Sequence, residues 1–514
     1  MLSVLLANSV HFRPLDLAVI VVYLTLMAGM GIWFSRRNQS TEHYFLGERN
    51  FPGWAIGLSM LGTSISSVTF LAFPAAAFAL DWRQLISNLT LPFVAVLAII
   101  VFIPFFRRGN TTSAFEYLGD RYGTIPRLYG TLSFILLQLI RLGKVLFLVS
   151  IPVSLLTGWD IRLVIVGVGI FISFYTIAGG IEAVIWTDVI QTIVLWLGGI
   201  LCFTIIVTRL PGGLAQVFEV GSAQGKFGIG SFDFNLTERT FWTVSLLGLL
   251  NWLTIYSSDQ NVVQRFIAAR SLREARKATT IYSVLAVLTW SFFFLVGTCV
   301  FVFYRVFPES AVANLQADEV FPWFILTQVP AGLAGLVISG VLAAAMSSLD
   351  SSINSIATVT TVDLLKPWLA PGRNDRFYLR FARLIAVLAS AVMIGGAVFF
   401  SSVEKESMND LSWIIASVFG GCLLGLFMLG FFTRRVDNTA AVIGLLGAIL
   451  VNLYLGLSTG GWLPEQWSLN MHSYWVGLFV NLAFISLALL ISLFRRPNPR
   501  DLTGLTIWTQ EQQP

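Results

Sequence analysis

Thirteen apolar runs recur along the chain, separated by short polar stretches and by two long loops, Thr208 to Thr240 and Arg305 to Pro330, and they decide what it can fold into. They are Leu15 to Phe34, Trp54 to Leu80, Gln84 to Phe106, Leu128 to Leu156, Leu163 to Ile177, Ala183 to Val207, Phe241 to Phe266, Ile281 to Tyr304, Ala331 to Leu365, Ala382 to Phe400, Leu411 to Phe432, Thr439 to Leu457 and Ser473 to Phe494. A helix needs about 20 apolar residues to cross the hydrocarbon core of a bilayer, and it satisfies its own backbone while doing so. Only 11% of the 514 residues are charged, against about 25% in soluble domains. The expected fold class is an all-α polytopic membrane protein with about 13 transmembrane helices.

Thirteen crossings would put the two termini on opposite sides, and the basic residues say which is inside. Of the 32 Lys and Arg, 22 fall in the odd-numbered loops and C-terminal tail and 8 in the N-terminus and even-numbered loops. Cytoplasmic loops carry the excess, so the N-terminus is expected outside, the C-terminus in the cytoplasm, and the basic stretches Arg265 to Lys277 and Lys366 to Arg383 on the cytoplasmic side. This placement explains the formal net charge of +5 without nucleic acid as a partner. The first run is followed at once by Arg36-Arg37, the reverse of a cleaved signal's flanks, and is expected to be retained. The tail after Phe494 is too short to fold as an appended sensor domain. Cys202, Cys299 and Cys422 lie inside apolar runs and read as packed thiols.

Spans two to six and seven to eleven form two groups of five around an external loop. Five is odd, so the second group is inverted, the plan that places ion and solute sites midway across the membrane on interrupted helices. The divisions expected are 1–51 for an extra span and loop, 52–208 for the first repeat, 209–240 for the external loop, 241–432 for the second repeat, and 433–514 for two further spans and a short tail.

The ninth span carries the polar oxygens. On a helix, Ala344, Ser347, Ser348, Ser351 and Ser355 share one face, with Asp350 beside them. Hydroxyl and carboxylate oxygens suit hard cations, and the thiolates and imidazoles that zinc or copper prefer are missing here. A bare alkali cation fits best, although serines in membrane helices also bond back to their own carbonyls or pack against neighbours. In the second span, Gly62-Thr63-Ser64-Ile65-Ser66-Ser67 starts on glycine and is rich in hydroxyls, with Thr69 and Pro74 following. Unwinding there would free carbonyls, and irregular backbone at membrane depth lines a cavity or is buried in protein; the other reading is a kinked helix. At 1.5 Å per residue the two segments meet at similar depth.

Asp188, Arg141 and Lys144 are charges inside spans, which lipid penalises. Asp188 lies at the depth of Asp350 and Ser351, where a second cation site would form, or it is a carboxylate favoured near a helix N-terminus. The guanidinium fork of Arg141 suits a solute carboxyl or an internal carboxylate equally. Lys144 snorkels or pairs internally.

These residues resemble the sodium/solute symporters over roughly 44–432, through Tyr44-Phe45-Leu46-Gly47, Ser113-Ala114-Phe115-Glu116-Tyr117-Leu118, Tyr175-Thr176-Ile177-Ala178-Gly179-Gly180 running on to Trp186-Thr187-Asp188, Gln264-Arg265, and Ser347-Ser348-Leu349-Asp350-Ser351. The resemblance implies a five-plus-five inverted-repeat, LeuT-like fold. It implies a first sodium site from the carbonyls of Gly62, Ile65 and Ala344 with the hydroxyls of Ser347 and Ser348. Within the family the chain looks most similar to bacterial sodium-coupled sialic acid transporters, some of which hold a second sodium; that site maps onto Asp188, Ser347, Asp350 and Ser351. Those transporters have serine where this chain has Asp350, so the second carboxylate strengthens the site, carries a proton or changes its chemistry. Their solute-binding positions match Ser64, Ser66, Thr69 and Arg141, with Asn88 in place of a glutamine. The family's sugar transporters have glutamate at the Asn88 position and lack this arginine.

The expected function is a sodium-coupled secondary symporter of the plasma (bacterial inner) membrane, importing a sialic acid or another carboxylate-bearing sugar by alternating access. The alternative is a neutral-sugar (glucose, galactose or inositol) or monocarboxylate symporter of the same family, and proton coupling through Asp188 and Asp350 is a variant. The partners expected are sodium, the solute and the bilayer, with no obligate protein. His11, His43 and His472 all fall outside the spans, and no His-Glu-x-x-His motif is present, which argues against an enzyme.

Overall fold

In the computed structural model the described residues are 13–36, 40–108, 111–402, 420–495 and 500–509, and all their regular structure is helical. The chain opens with α1 (Pro14–Ser35), whose proline stands in the first turn, where a missing N–H costs nothing. The second expected span is two helices, α2 (Gly53–Ser64) and α3 (Val68–Ala79), bent by 63°. Then follow α4 (Arg83–Arg107), α5 (Ala114–Arg121), α6 (Thr124–Thr157) and α7 (Ile161–Arg209). A short α8 (Gly213–Ala223) lies in the connection that follows α7. The second half contains α9 (Phe241–Ser258), α10 (Gln260–Ala268), α11 (Leu272–Val306), α12 (Ala317–Gln328), α13 (Leu333–Leu369) and α14 (Asp375–Ser402). It closes with α15 (Leu423–Phe432), α16 (Asn438–Thr459) and α17 (Ser473–Leu493).

Among the described residues nine helices are long and apolar enough to cross a membrane, and the bent α2–α3 pair makes a tenth span. Three expected spans look different in the structure, each for a physical reason. The fifth and sixth lie in one helical run, α7, whose 49 residues would measure about 74 Å if straight, twice a bilayer. The run folds at Gly180, where φ 58 and ψ −163 form a backbone conformation open essentially to glycine alone. The seventh is interrupted. Asp259 leaves helical geometry (φ −77, ψ 117) and its carboxylate accepts the Asn261 N–H at 2.8 Å, starting α10 as a helix of its own. The beginning of the eleventh, before residue 420, lies outside the described residues.

The helix α13 is the axis of the bundle. Its most apolar window is 89% buried, more than any other span's, and it packs most extensively on α7. Small residues permit this closeness: Gly340 faces the α7 backbone at Val194 and Leu195, and Gly198 of α7 faces Val337 in return. Burial all round removes α13 from lipid, so its serines and Asp350 face protein on every side.

Candidate ion and solute site

The break between α2 and α3 is built by serines. The Ser66 hydroxyl accepts the Val68 N–H at 3.2 Å, a side chain taking the place of a helical carbonyl. Two turns on, Pro74 follows a wide π turn over Val68–Ala72. Ile65 between them is extended (φ −89, ψ 101), so its carbonyl leaves the helical direction.

Opposite that break stands the middle of α13. Ser347 Oγ donates to the Gly62 carbonyl at 2.8 Å and contacts the Ala344 carbonyl at 3.2 Å. Ser348 Oγ donates to the Thr63 carbonyl at 2.9 Å. The structure therefore brings Gly62, Ala344, Ser347 and Ser348 together, with Ile65 in the break beside them. All five are buried. Neutral carbonyl and hydroxyl oxygens converging from two helices form a hard-cation ligand set of low charge, suited to sodium and too weakly charged to strip water from magnesium. On this geometry a cation would take the lone pairs that the serine hydroxyls now engage.

The second cluster is organised by a residue that sequence reasoning placed elsewhere. Arg265, expected in a cytoplasmic basic stretch, is 1% exposed inside the bundle. It lies on α10, with its Nη1 on the Asn261 carbonyl and its Nε on Ser59. Its Nη2 reaches Asp188 Oδ2 at 2.9 Å, Thr63 Oγ1 at 2.7 Å and Ser351 Oγ at 2.7 Å. A guanidinium thus occupies the space between Asp188 and Ser351, two of the four residues expected to ligate a second sodium. Asp350 turns away toward Tyr175, whose hydroxyl donates to Oδ2 at 3.0 Å, and Ser347 bonds into the first cluster instead. Asp188 keeps one free acceptor: its Oδ1 is buried and has no hydrogen-bond partner among the described residues. Two carboxylates and one guanidinium, all buried, leave the cluster one positive charge short of neutrality when ionised. Buried charge without a counter-charge is expensive, so the cluster is balanced either by a proton on one carboxylate or by one further cation.

Thr63 joins the two clusters. Its carbonyl accepts from Ser348 and from Arg141 Nη2 at 3.1 Å, while its hydroxyl contacts Arg265 and Ser351. Arg141 of α6 makes no other hydrogen bond and no salt bridge among the described residues, which leaves most of its fork available to a ligand. Of the other expected solute residues, Ser64 shares a 2.8 Å hydrogen bond with Tyr282 of α11, Ser66 caps α3, and Thr69 is buried at the start of α3. Asn88 stands apart from them. It lines a cavity of about 940 Å³ beyond α3, with Val68 at its edge.

Sequence reasoning missed Arg265, Ser59, Tyr175 and the amide Gln264, which donates to the Phe45 carbonyl and to Asn354 and accepts from Ser355. One signal for two of these was present. A Ser-Ser-Asp sequence inside an apolar run is a helix-capping pattern, and it implies a helix start that carries Gln264 and Arg265 inward. For Ser59 no local signal exists, and Tyr175 entered only as part of a motif that carries the resemblance, because their partners come from distant helices.

Known proteins are similar to this chain in sequence and in fold. Residues 44–448 match the family model described as "Sodium:solute symporter family". The sodium/sialic acid symporter NanT of Aliivibrio fischeri is 32% identical over 87% of this chain and 89% of its own length. The sodium/sialic acid symporter SiaT of Proteus mirabilis is also 32% identical, over 86% and 89%. A solved structure described as the substrate-bound outward-open state of a Na+-coupled sialic acid symporter, with a novel Na+ site, superposes with a TM-score of 0.86 at 29% identity, covering 96% of this chain and all of that one. These relatives are transporters, not enzymes. With a match spanning most of its helices and oxygens gathered where α2 and α13 meet, the chain belongs to the sodium:solute symporter family.

Proposed function

We propose that the protein imports a carboxylate-bearing sugar, sialic acid foremost, with sodium as co-substrate. The observation that carries this reading is the pairing of two features at Thr63. On one side its carbonyl touches Ser348 in the low-charge oxygen cluster, and on the other it touches Arg141, a fork that makes no salt bridge among the described residues and has the Asp259 carboxylate as its electrostatic neighbour. An ion and an anionic solute would share one turn of broken backbone. Sodium between Gly62, Ile65, Ala344, Ser347 and Ser348 ties α2 to α13. The ion shifts the equilibrium toward the outward-open state through its better affinity there, and the same tie holds Thr63, and through it Arg141, in place for the solute. Asp188, Ser347, Asp350 and Ser351 are proposed as a second cation site that opens when Arg265 withdraws. Ser64, Ser66, Thr69 and Asn88 provide hydroxyl and amide partners along the path.

Five spans followed by five inverted spans, 52–208 and 241–432, frame these sites. Two observations support the repeat: the first helix of each group is interrupted, at Ile65 and at Asp259. Residues 1–51, the loop 209–240 and residues 433–514 complete thirteen crossings of the plasma membrane, with the N-terminus outside and the C-terminus in the cytoplasm.

The test is uptake of labelled N-acetylneuraminic acid into proteoliposomes by wild type and Arg141→Ala, with lactate and glucose as competitors. The expected result is uptake reduced about 100-fold by the substitution, as for loss of one partner of a desolvated charge pair, with glucose inert. Uptake that survives the substitution, or competition by glucose alone, would replace the acid with a neutral sugar. Competition by lactate at equal concentration would shift the reading to monocarboxylates.

A further inference from the structure

The cavity that holds Asn88 lies outside the ion and solute clusters and has its own chemistry. It measures about 940 Å³ and is walled by α3, α4, α9, the loop after α8 and the entry to α17. Phe73 and Val68 of α3 form its apolar side, one residue from Thr69, and amides line the rest: Gln84, Asn88, Gln224 and Asn251. Pockets of about 300–1,000 Å³ with few well-placed polar groups take small organic ligands.

Two arginines line this cavity, and they differ. Arg83 is neutralised in place, with Nη2 3.1 Å from Asp81 Oδ2. Arg239 has no carboxylate partner among the described residues. It is exposed, lies over the Tyr474 ring at 5.5 Å, and donates from Nε to His472 Nε2 at 3.2 Å. That last contact is weak, because Nδ1 of the same ring is approached by the Tyr474 N–H at 3.3 Å and a neutral imidazole offers one acceptor nitrogen. Burial and the Arg239 charge both hold His472 below its ordinary pKa, so the ring stays neutral and adds no competing positive charge. The guanidinium is therefore held in orientation by an aromatic platform while its terminal nitrogens remain available.

We infer that this cavity is an outer antechamber for the acidic solute, in which Arg239 captures the carboxylate and the amides take hydroxyls before the solute passes α3 to Arg141. This rests on the proposed acid-transport reading. An uncompensated charge at the mouth of a low-dielectric cavity concentrates anions and speeds their entry in a salt-dependent way, and an arginine fork orients a carboxylate as a point charge does not.

The test compares wild type, Arg239→Gln and Arg239→Lys in proteoliposomes, measuring KM and kcat for N-acetylneuraminic acid and for lactate at fixed sodium while ionic strength is raised with choline chloride. The Gln variant should raise KM about ten-fold at low ionic strength, lose most of the wild-type salt dependence, and show a far smaller change in kcat. Lys should recover the salt dependence but only part of the affinity. Wild-type KM and salt dependence in an active Gln variant would overturn the antechamber and leave the function standing. If wild type took up neither acid, the function reading would fall and this inference with it. A fall in kcat alone, in both variants, would make Arg239 a structural residue and also overturn the inference.

Discussion

Arg265 and Asp188 show how the site stores charge. Both are essentially without solvent, 2.9 Å apart, and hydroxyls from Ser59, Thr63 and Ser351 fill in around them. Removing one partner of such a pair leaves an uncompensated buried charge and costs about 3–5 kcal/mol, whereas replacing both with packed apolar groups is close to neutral. Asp188→Leu and Arg265→Met should each lower the thermal unfolding midpoint in detergent markedly, and the Asp188→Leu/Arg265→Met pair should recover much of the loss. Equal and additive losses in the cycle would show that the pair is not coupled. The serine stripe was legible because helical spacing alone puts Ser347, Ser348 and Ser351 on one face. Arg265 was not, because a basic residue at the end of an apolar run, followed by Arg270, Arg273 and Arg276, reads as a topology signal. Only the break at Asp259 reveals that it turns inward.

At the scale of elements, three breaks make the machinery: Ile65 between α2 and α3, Asp259 between α9 and α10, and Gly180 within α7. The first was legible from glycine and hydroxyls crowded into an apolar run. The second was hidden because hydropathy averages over a single aspartate. The third was legible as a gap between two runs, although the structure carries helical hydrogen bonding through it. Gly180 uses a conformation that side chains avoid, so Gly180→Val should cost about 1–3 kcal/mol and splay the two arms of α7. Differential scanning fluorimetry and sodium-driven uptake should both fall. Unchanged stability would mean that the turn tolerates a side chain and that its glycine is incidental. Elsewhere close approach sets the requirement. Gly297 of α11 places its Cα hydrogens against the Pro74 backbone, where an added Cβ would meet the proline oxygen at 2.3 Å. This contact holds α3, the second half of the broken helix.

For the whole molecule, the fold class followed from the apolar runs. The meeting of α2 with α13 followed from depth; the joining of α6 and α10 to them at Thr63 did not, since Arg141 and Arg265 lie 78 and 202 positions from it. What emerges is a buried cluster of carbonyl and hydroxyl oxygens, a charge-paired cluster next to it, and the guanidinium of Arg141, all joined through one threonine. The account stands on the coupling between the first cluster and transport. The measurement that tests it most directly is accumulation of labelled N-acetylneuraminic acid in proteoliposomes under an inward sodium gradient or with choline replacing sodium, for wild type and Ser348→Ala. The predicted result is accumulation above equilibrium only with sodium. Ser348→Ala should raise the sodium concentration for half-maximal uptake at least about 10-fold, as for loss of a ligand or its supporting contact. Accumulation that is equal in choline, or a Ser348→Ala protein with wild-type sodium dependence, would contradict the account.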